Sequence, residues 1–157
     1  MENLARQVLS VCRKRGWKLV TAESCTGGMV VAALTEIAGS SDVVDRGYVT
    51  YSNTAKTQML GVLPATLETY GAVSTQVAAE MAEGALTAAG VDLAASTTGI
   101  AGPGPSEHKP EGRVCFGLAC KGQVTRVEII EFGAIGRANV RQKSMEHALT
   151  LLIKAAK

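Results

Sequence analysis

Three short polar stretches carry the residue types that could attack a carbonyl and hold its oxyanion. They are Thr21-Ala22-Glu23-Ser24-Cys25-Thr26-Gly27-Gly28, Tyr51-Ser52-Asn53-Thr54-Ala55-Lys56 and Thr98-Gly99-Ile100-Ala101-Gly102-Pro103-Gly104. Any one alone reads as an ordinary connection, because Ser, Thr and Gly are what turns are made of. Ser24 or Thr26 could simply cap the helix that follows. Alternatively, Ser24 is a nucleophile at the positive end of that helix. The N–H groups of Cys25, Thr26 and Gly27 would then receive a developing oxyanion. Gly27 and Gly28 lack β-carbons, so a substrate or a neighbouring strand could come close to the backbone. Glu23 reads equally as a surface charge or as an orienting group.

A serine nucleophile requires a base. Of the two histidines, His147 falls mid-helix on an apolar stripe and His108 in a proline-rich loop without an acid partner. A Ser-His-Asp triad is therefore poorly supported. Lysine serves as a base only when burial or nearby positive charge keeps it largely neutral. Lys56, at a helix start, would feel dipole charge that lowers its proton affinity. Tyr51 could pass a proton or orient Lys56. Cys25 is a rival nucleophile, since helix N-termini lower thiol pKa values, but it lacks a histidine partner. The Thr98–Pro103 stretch is neither a P-loop nor a dinucleotide fingerprint, yet Thr98, Gly99 and Gly102 could expose backbone groups to a ligand. Arg137 and Arg141 lie one helical turn apart, either as solvated surface or as a phosphate clamp.

The elements that must position these groups follow from periodicity. Leu4, Val8, Val11 and Cys12 predict a helix stopping near Gly16, followed by a strand over Trp17–Val20. A helix is predicted over Met29–Ile37, ending at Gly39, and a strand over Val43–Tyr51. Ser52, Asn53 or Thr54 caps a short helix to Leu60; Pro64 starts another; Ser74 or Thr75 caps a third that ends at Gly90. An apolar run, Val91–Thr98, precedes the loop Gly99–Gly112. Strands over Val114–Ala119 and Val124–Phe132 flank a hairpin turn, and a final helix spans Ala138–Ala156. The order predicts one α/β domain over residues 1–157: a three-layer sandwich, a mixed sheet with helices on both faces.

Composition narrows the classes. A net charge of +2 without clustered basic and aromatic residues argues against nucleic acid as a partner. No run of 18 apolar residues is present, and the N-terminus lacks a signal peptide's apolar region. The four cysteines, Cys12, Cys25, Cys115 and Cys120, include no Cys-x-x-Cys pair, so reduced thiols in a cytoplasmic protein are expected and a zinc site is not.

Taken together, the three stretches above, with Gly71-Ala72-Val73-Ser74 between the second and third, resemble the CinA C-terminal domain family. The resemblance runs through nearly the whole chain and ends on Arg137-x-x-x-Arg141. It implies hydrolysis of the carboxamide of nicotinamide mononucleotide to nicotinate mononucleotide and ammonia, by a serine–lysine mechanism with no metal or cofactor. The implied roles are Ser24 as nucleophile, Lys56 as base, Tyr51 as an assistant, and Thr98 with the following glycines as substrate lining. Arg137 and Arg141 would hold phosphate, and a homo-oligomer is expected. Glu111 and Arg113 depart from the family pattern, where Val and Thr are common, and bear on loop shape and substrate affinity. The family also admits a non-catalytic nucleotide-binding or regulatory module.

Overall fold

Strand side chains alternate between faces, and here both faces are apolar, so the sheet must be covered twice. The computed structural model describes residues 2–157. Its sheet runs β2-β1-β3-β4-β5, with β1 at Leu19–Glu23, β2 at Val44–Val49, β3 at Leu93–Gly99, β4 at Arg113–Cys120 and β5 at Arg126–Glu131. β1 lies parallel to both β2 and β3, whereas β4 and β5 are antiparallel additions. Leu19, Leu93, Ala95, Val114, Phe116 and Leu118 pack against α1 (Glu2–Arg15), α2 (Met29–Thr35) and α6 (Arg137–Ala156). Val20, Ala22, Ala94 and Ala119 meet Val77, Met81, Ala82 and Ala85 of α5 (Thr75–Ala89) on the other face. Two short helices, α3 (Asn53–Leu60) and α4 (Pro64–Tyr70), lead into α5. The fold is the mixed three-layer α/β arrangement expected from the element order.

The helix signals acted as read. Ser52 accepts the Ala55 N–H at 3.0 Å and Ser74 the Val77 N–H at 3.2 Å, while Gly61 and Gly90 close α3 and α5 in left-handed conformations.

Several boundaries differ from expectation by two or three residues, among them those of the first strand and the second helix, and β2, β3 and β5 are likewise offset from their expected ranges. The first strand begins at Leu19 rather than Trp17 and continues through Thr21, Ala22 and Glu23, because the Thr21 and Glu23 side chains find partners inside and the ladder need not stop. Trp17 sits outside the strand, beneath the Arg15 guanidinium at 4.6 Å. The second helix ends at Thr35, and after Gly39, at φ 84°, a 3₁₀ turn over Ser40–Asp42 delivers the chain to β2.

The chain crosses from β1 to β2 through α2 on one face and returns to β3 through α3, α4 and α5 on the other. The carboxyl ends of three parallel strands therefore lie side by side where the connections diverge, the place at which open α/β sheets gather ligands. Each of the three polar stretches leaves one of these ends. No helix among the described residues is long and apolar enough to cross a membrane.

Candidate active site

The turn after β1 is built around a buried carboxylate. Alternation along β1 puts Glu23 on the α2 face, where it is 1% exposed. Its two oxygens accept the Thr21 hydroxyl at 3.1 Å, the Thr26 hydroxyl at 2.7 Å, and the N–H groups of Gly28, Val30 and Val31 at 3.2, 2.9 and 3.0 Å. In the first turn of α2 the Val30 and Val31 N–H groups are thus satisfied by Glu23 and that of Met29 by the Thr26 carbonyl at 3.0 Å, while neither the Ser24 nor the Thr26 hydroxyl caps the helix. The expected placement of Ser24 at the helix dipole is therefore corrected: α2 starts at Met29, and its positive end faces Glu23. Gly27 also differs from expectation, since its N–H already bonds the Ser24 carbonyl at 3.0 Å. The N–H groups of Cys25 and Thr26 donate to no other residue among those described, so they are open to a ligand.

Lys56 reaches this turn from α3. Its Nζ donates to Ser24 Oγ at 3.0 Å, to the Thr50 carbonyl at 3.0 Å and to the Tyr51 carbonyl at 3.2 Å. The side chain is only 1% exposed and enters none of the ion pairs formed among the described residues. Burial pushes its pKa below the usual lysine value, against an upward pull from Cys25 and Glu107. Desolvation, rather than the helix dipole expected from the sequence, is thus the leading cause. The geometry suits a neutral amine as well as an ammonium. Two N–H bonds can be spent on the two carbonyls, leaving the nitrogen lone pair to accept the Ser24 hydroxyl proton. Burial also pushes the Cys25 thiol up to about 12, so it is not a thiolate nucleophile.

A cleft of about 230 Å³ opens beside Ser24 and Lys56, and its lining includes Cys25, Tyr51, Thr98, Gly99 and Arg137. Thr98 is held in place by donating to the Ala72 carbonyl at 2.8 Å. Tyr51 is 63% exposed and its hydroxyl accepts from Arg137 at 3.1 Å; the part of Tyr51 that orients Lys56 is its backbone carbonyl. Arg137 also donates to the Gly102 carbonyl at 2.6 Å, tying α6 to the loop after β3.

The two arginines make separate contacts. Arg141 turns away from the cleft and donates to the carbonyls of Cys25 at 3.0 Å and Thr26 at 3.4 Å, bracing the serine turn from behind. A β-carbon at Gly27 would come within 3.1 Å of that guanidinium. At Gly102, with φ 91°, a β-carbon would collide with the Glu111 carboxylate, so Glu111 packs on the loop. Arg113 pairs with Glu131 at 2.6 Å across β4 and β5. Glu107 also lines the cleft, and the sequence reading missed it. Its only sequence signal was a charge within a Gly- and Pro-rich loop.

His147 packs edge-on to Phe116 at 4.6 Å and bonds Glu128 at 2.7 Å, on the face of the sheet covered by α6. Neither it nor His108 lines the cleft. No cluster of three or more His, Cys, Asp or Glu side chains suited to a metal occurs among the described residues.

The CinA C-terminal domain model matches residues 1–156. The nicotinamide-nucleotide amidohydrolase PncC of Enterobacter agglomerans is 54% identical over 122 residues, which covers 77% of this chain and 74% of that protein. Its namesake in Escherichia coli strain K12 is 49% identical over 152 residues, covering 95% and 90%. A CinA-like protein of Chlorobium phaeobacteroides is 47% identical over 157 residues, and there the chain spans 37% of the relative's length. Among solved structures, the competence/damage inducible protein CihA from Agrobacterium tumefaciens superposes with a TM-score of 0.96 at 46% identity, covering 99% of this chain and 95% of that one.

Proposed function

The chain belongs to the CinA C-terminal domain family, and we infer from this that it is a nicotinamide-nucleotide amidohydrolase, hydrolysing the carboxamide of nicotinamide mononucleotide. The observation that carries our reading of its mechanism is the 3.0 Å contact between buried Lys56 and Ser24 Oγ. We propose Ser24 as nucleophile and Lys56 as its general base.

Neutral Lys56 takes the Ser24 proton as Oγ attacks the carboxamide carbon. The charge that develops on the carbonyl oxygen is received by the N–H groups of Cys25 and Thr26, preorganised by Glu23 and Arg141. The Lys56 ammonium then protonates the departing nitrogen, ammonia leaves, and Ser24 holds the nicotinoyl group as an ester. A water molecule, deprotonated by Lys56, attacks that ester and releases nicotinate mononucleotide with Ser24 restored. Arg137, at the rim of the cleft and supported by Tyr51, is the proposed phosphate contact. Thr98 and Gly99 form the wall against which the ring lies, while Gly102, which does not line the cleft, acts through its carbonyl's bond from Arg137.

A binding module without catalysis has no use for a lysine buried against a serine with no carboxylate to pair it, since burying an ammonium is costly. We further propose cytoplasmic residence, which the four unpaired cysteines suit, and assembly as a homo-oligomer, for which exposed Met59, Leu63 and Tyr70 offer apolar surface. The deciding experiment is ammonia release from nicotinamide mononucleotide by wild type and Ser24→Ala. Wild type should turn over and the variant should lose roughly 10⁴-fold or more. Equal rates would remove Ser24 from the mechanism, while tight nucleotide binding without ammonia release would favour a regulatory module.

A further inference from the structure

Apart from Lys56, the cleft is lined among the described residues by one cationic side chain, Arg137, and one anionic side chain, Glu107. Glu107 is held there by an unfavourable backbone. It and His108 have φ values of 52° and 61°, the two non-glycine residues in the left-handed region among those described. Each such residue costs about 1 kcal/mol. The tip is fastened regardless. Ser106 and Lys109 exchange backbone hydrogen bonds at 3.1 and 2.8 Å, and Lys109 Nζ donates to the carbonyls of Tyr70 at 2.6 Å and Val73 at 2.5 Å. The Glu107 carboxylate forms only a long ion pair with Lys109 Nζ, at 3.8 Å, and accepts no hydrogen bond among the described residues.

An acid here is chemically awkward. Its field favours the protonated form of Lys56, the form that cannot act as base. Lys109 balances that charge only at long range, and a substrate that brings a positive charge into the cleft would meet it more closely. An N-ribosylated nicotinamide does so: its ring nitrogen is a fixed cation, a few bonds from the carboxamide carbon that Ser24 must reach. With the ring seated, the two fixed charges offset each other and Lys56 is released from the acid's pull.

We propose that Glu107 is a specificity-determining residue that selects the cationic pyridinium ring over uncharged carboxamides of the same shape. This rests on the deamidase reading above and adds to it a cause of substrate choice separate from the phosphate contact. The test compares nicotinamide mononucleotide with its reduced form, which keeps the phosphate, ribose and carboxamide but has a neutral ring. Wild type and Glu107→Gln are assayed for ammonia release from the oxidised nucleotide, with the reduced nucleotide as competitor. The expected result is a KM for the oxidised nucleotide raised about fivefold in the variant, as for a partly exposed charge contact. The inhibition constant of the reduced nucleotide should stay within about twofold, as the lost contact is to ring charge. Equal changes for both ligands, or no change for either, would overturn the assignment while leaving the deamidase intact. A wild type that releases no ammonia would instead contradict the deamidase reading, and this inference with it.

Discussion

Two ionisable groups are buried at the same edge of the sheet, and the protein treats them in opposite ways. Glu23, at the end of β1, receives five donors, three of them backbone N–H groups of the turn and helix that follow. Lys56, on the helix after β2, has two carbonyls and one hydroxyl, and no carboxylate. A carboxylate so fully surrounded by donors serves as scaffold. A buried charge with no opposite charge beside it is held closer to giving up its proton, which is what a base requires. The difference assigns rigidity to the serine turn and reactivity to the lysine that faces it.

The largest effect that would test this contrast is loss of the reactive partner. Lys56→Met should lower ammonia release by roughly 10⁴-fold while the protein still folds. Because the folded pKa of Lys56 lies below its ordinary 10.5, the unfolded chain binds that proton more readily. Wild-type stability therefore falls as pH drops from 10.5 toward the folded value and is flat below it. Thermal melts should show Lys56→Met gaining most relative to wild type near neutral pH, with the gain shrinking as pH rises toward 10.5. A variant that gains nothing at neutral pH would show that Lys56 is not under-solvated.

Glu23→Gln should behave in the opposite sense. It places an amide among donors and should cost about 3 kcal/mol in urea unfolding. A neutral outcome would mean that Glu23 does not anchor the turn. Smaller effects are expected from the arginines. Arg141→Ala loosens the carbonyls of Cys25 and Thr26 and should lower kcat by roughly tenfold with KM little changed, a loss felt in the transition state. Arg137→Ala should instead raise KM for the mononucleotide by roughly fivefold at unchanged kcat, since a phosphate contact is uniform binding. Interchanged signatures would reverse the tasks given to the two arginines.

Much of the site was legible in the chain because its residues stand where strands hand over to helices. Ser24 and Lys56 follow β1 and β2, and a parallel arrangement brings such ends together whatever their separation in sequence. The helix caps were legible for the same local reason. Glu23 was not, because a glutamate before a Ser-Thr-Gly turn is ordinarily exposed, and only side-chain accounting reveals its five donors. A clue existed in the alternation of Leu19, Thr21 and Glu23 on one face of β1. Arg141 was grouped with Arg137 by helical spacing, but spacing cannot show that one guanidinium reaches the cleft while the other reaches the back of the serine turn. The place of Glu107 depends on two left-handed residues that carry no glycine, so propensity gave no warning of it.

The central claim is that Lys56 acts as a neutral base, and the pH dependence of kcat/KM for ammonia release tests it most directly. Activity should rise with pH through the Lys56 pKa, and burial should place that acid limb clearly below 10.5. A limb at the ordinary lysine value, or a rate indifferent to pH, would contradict it.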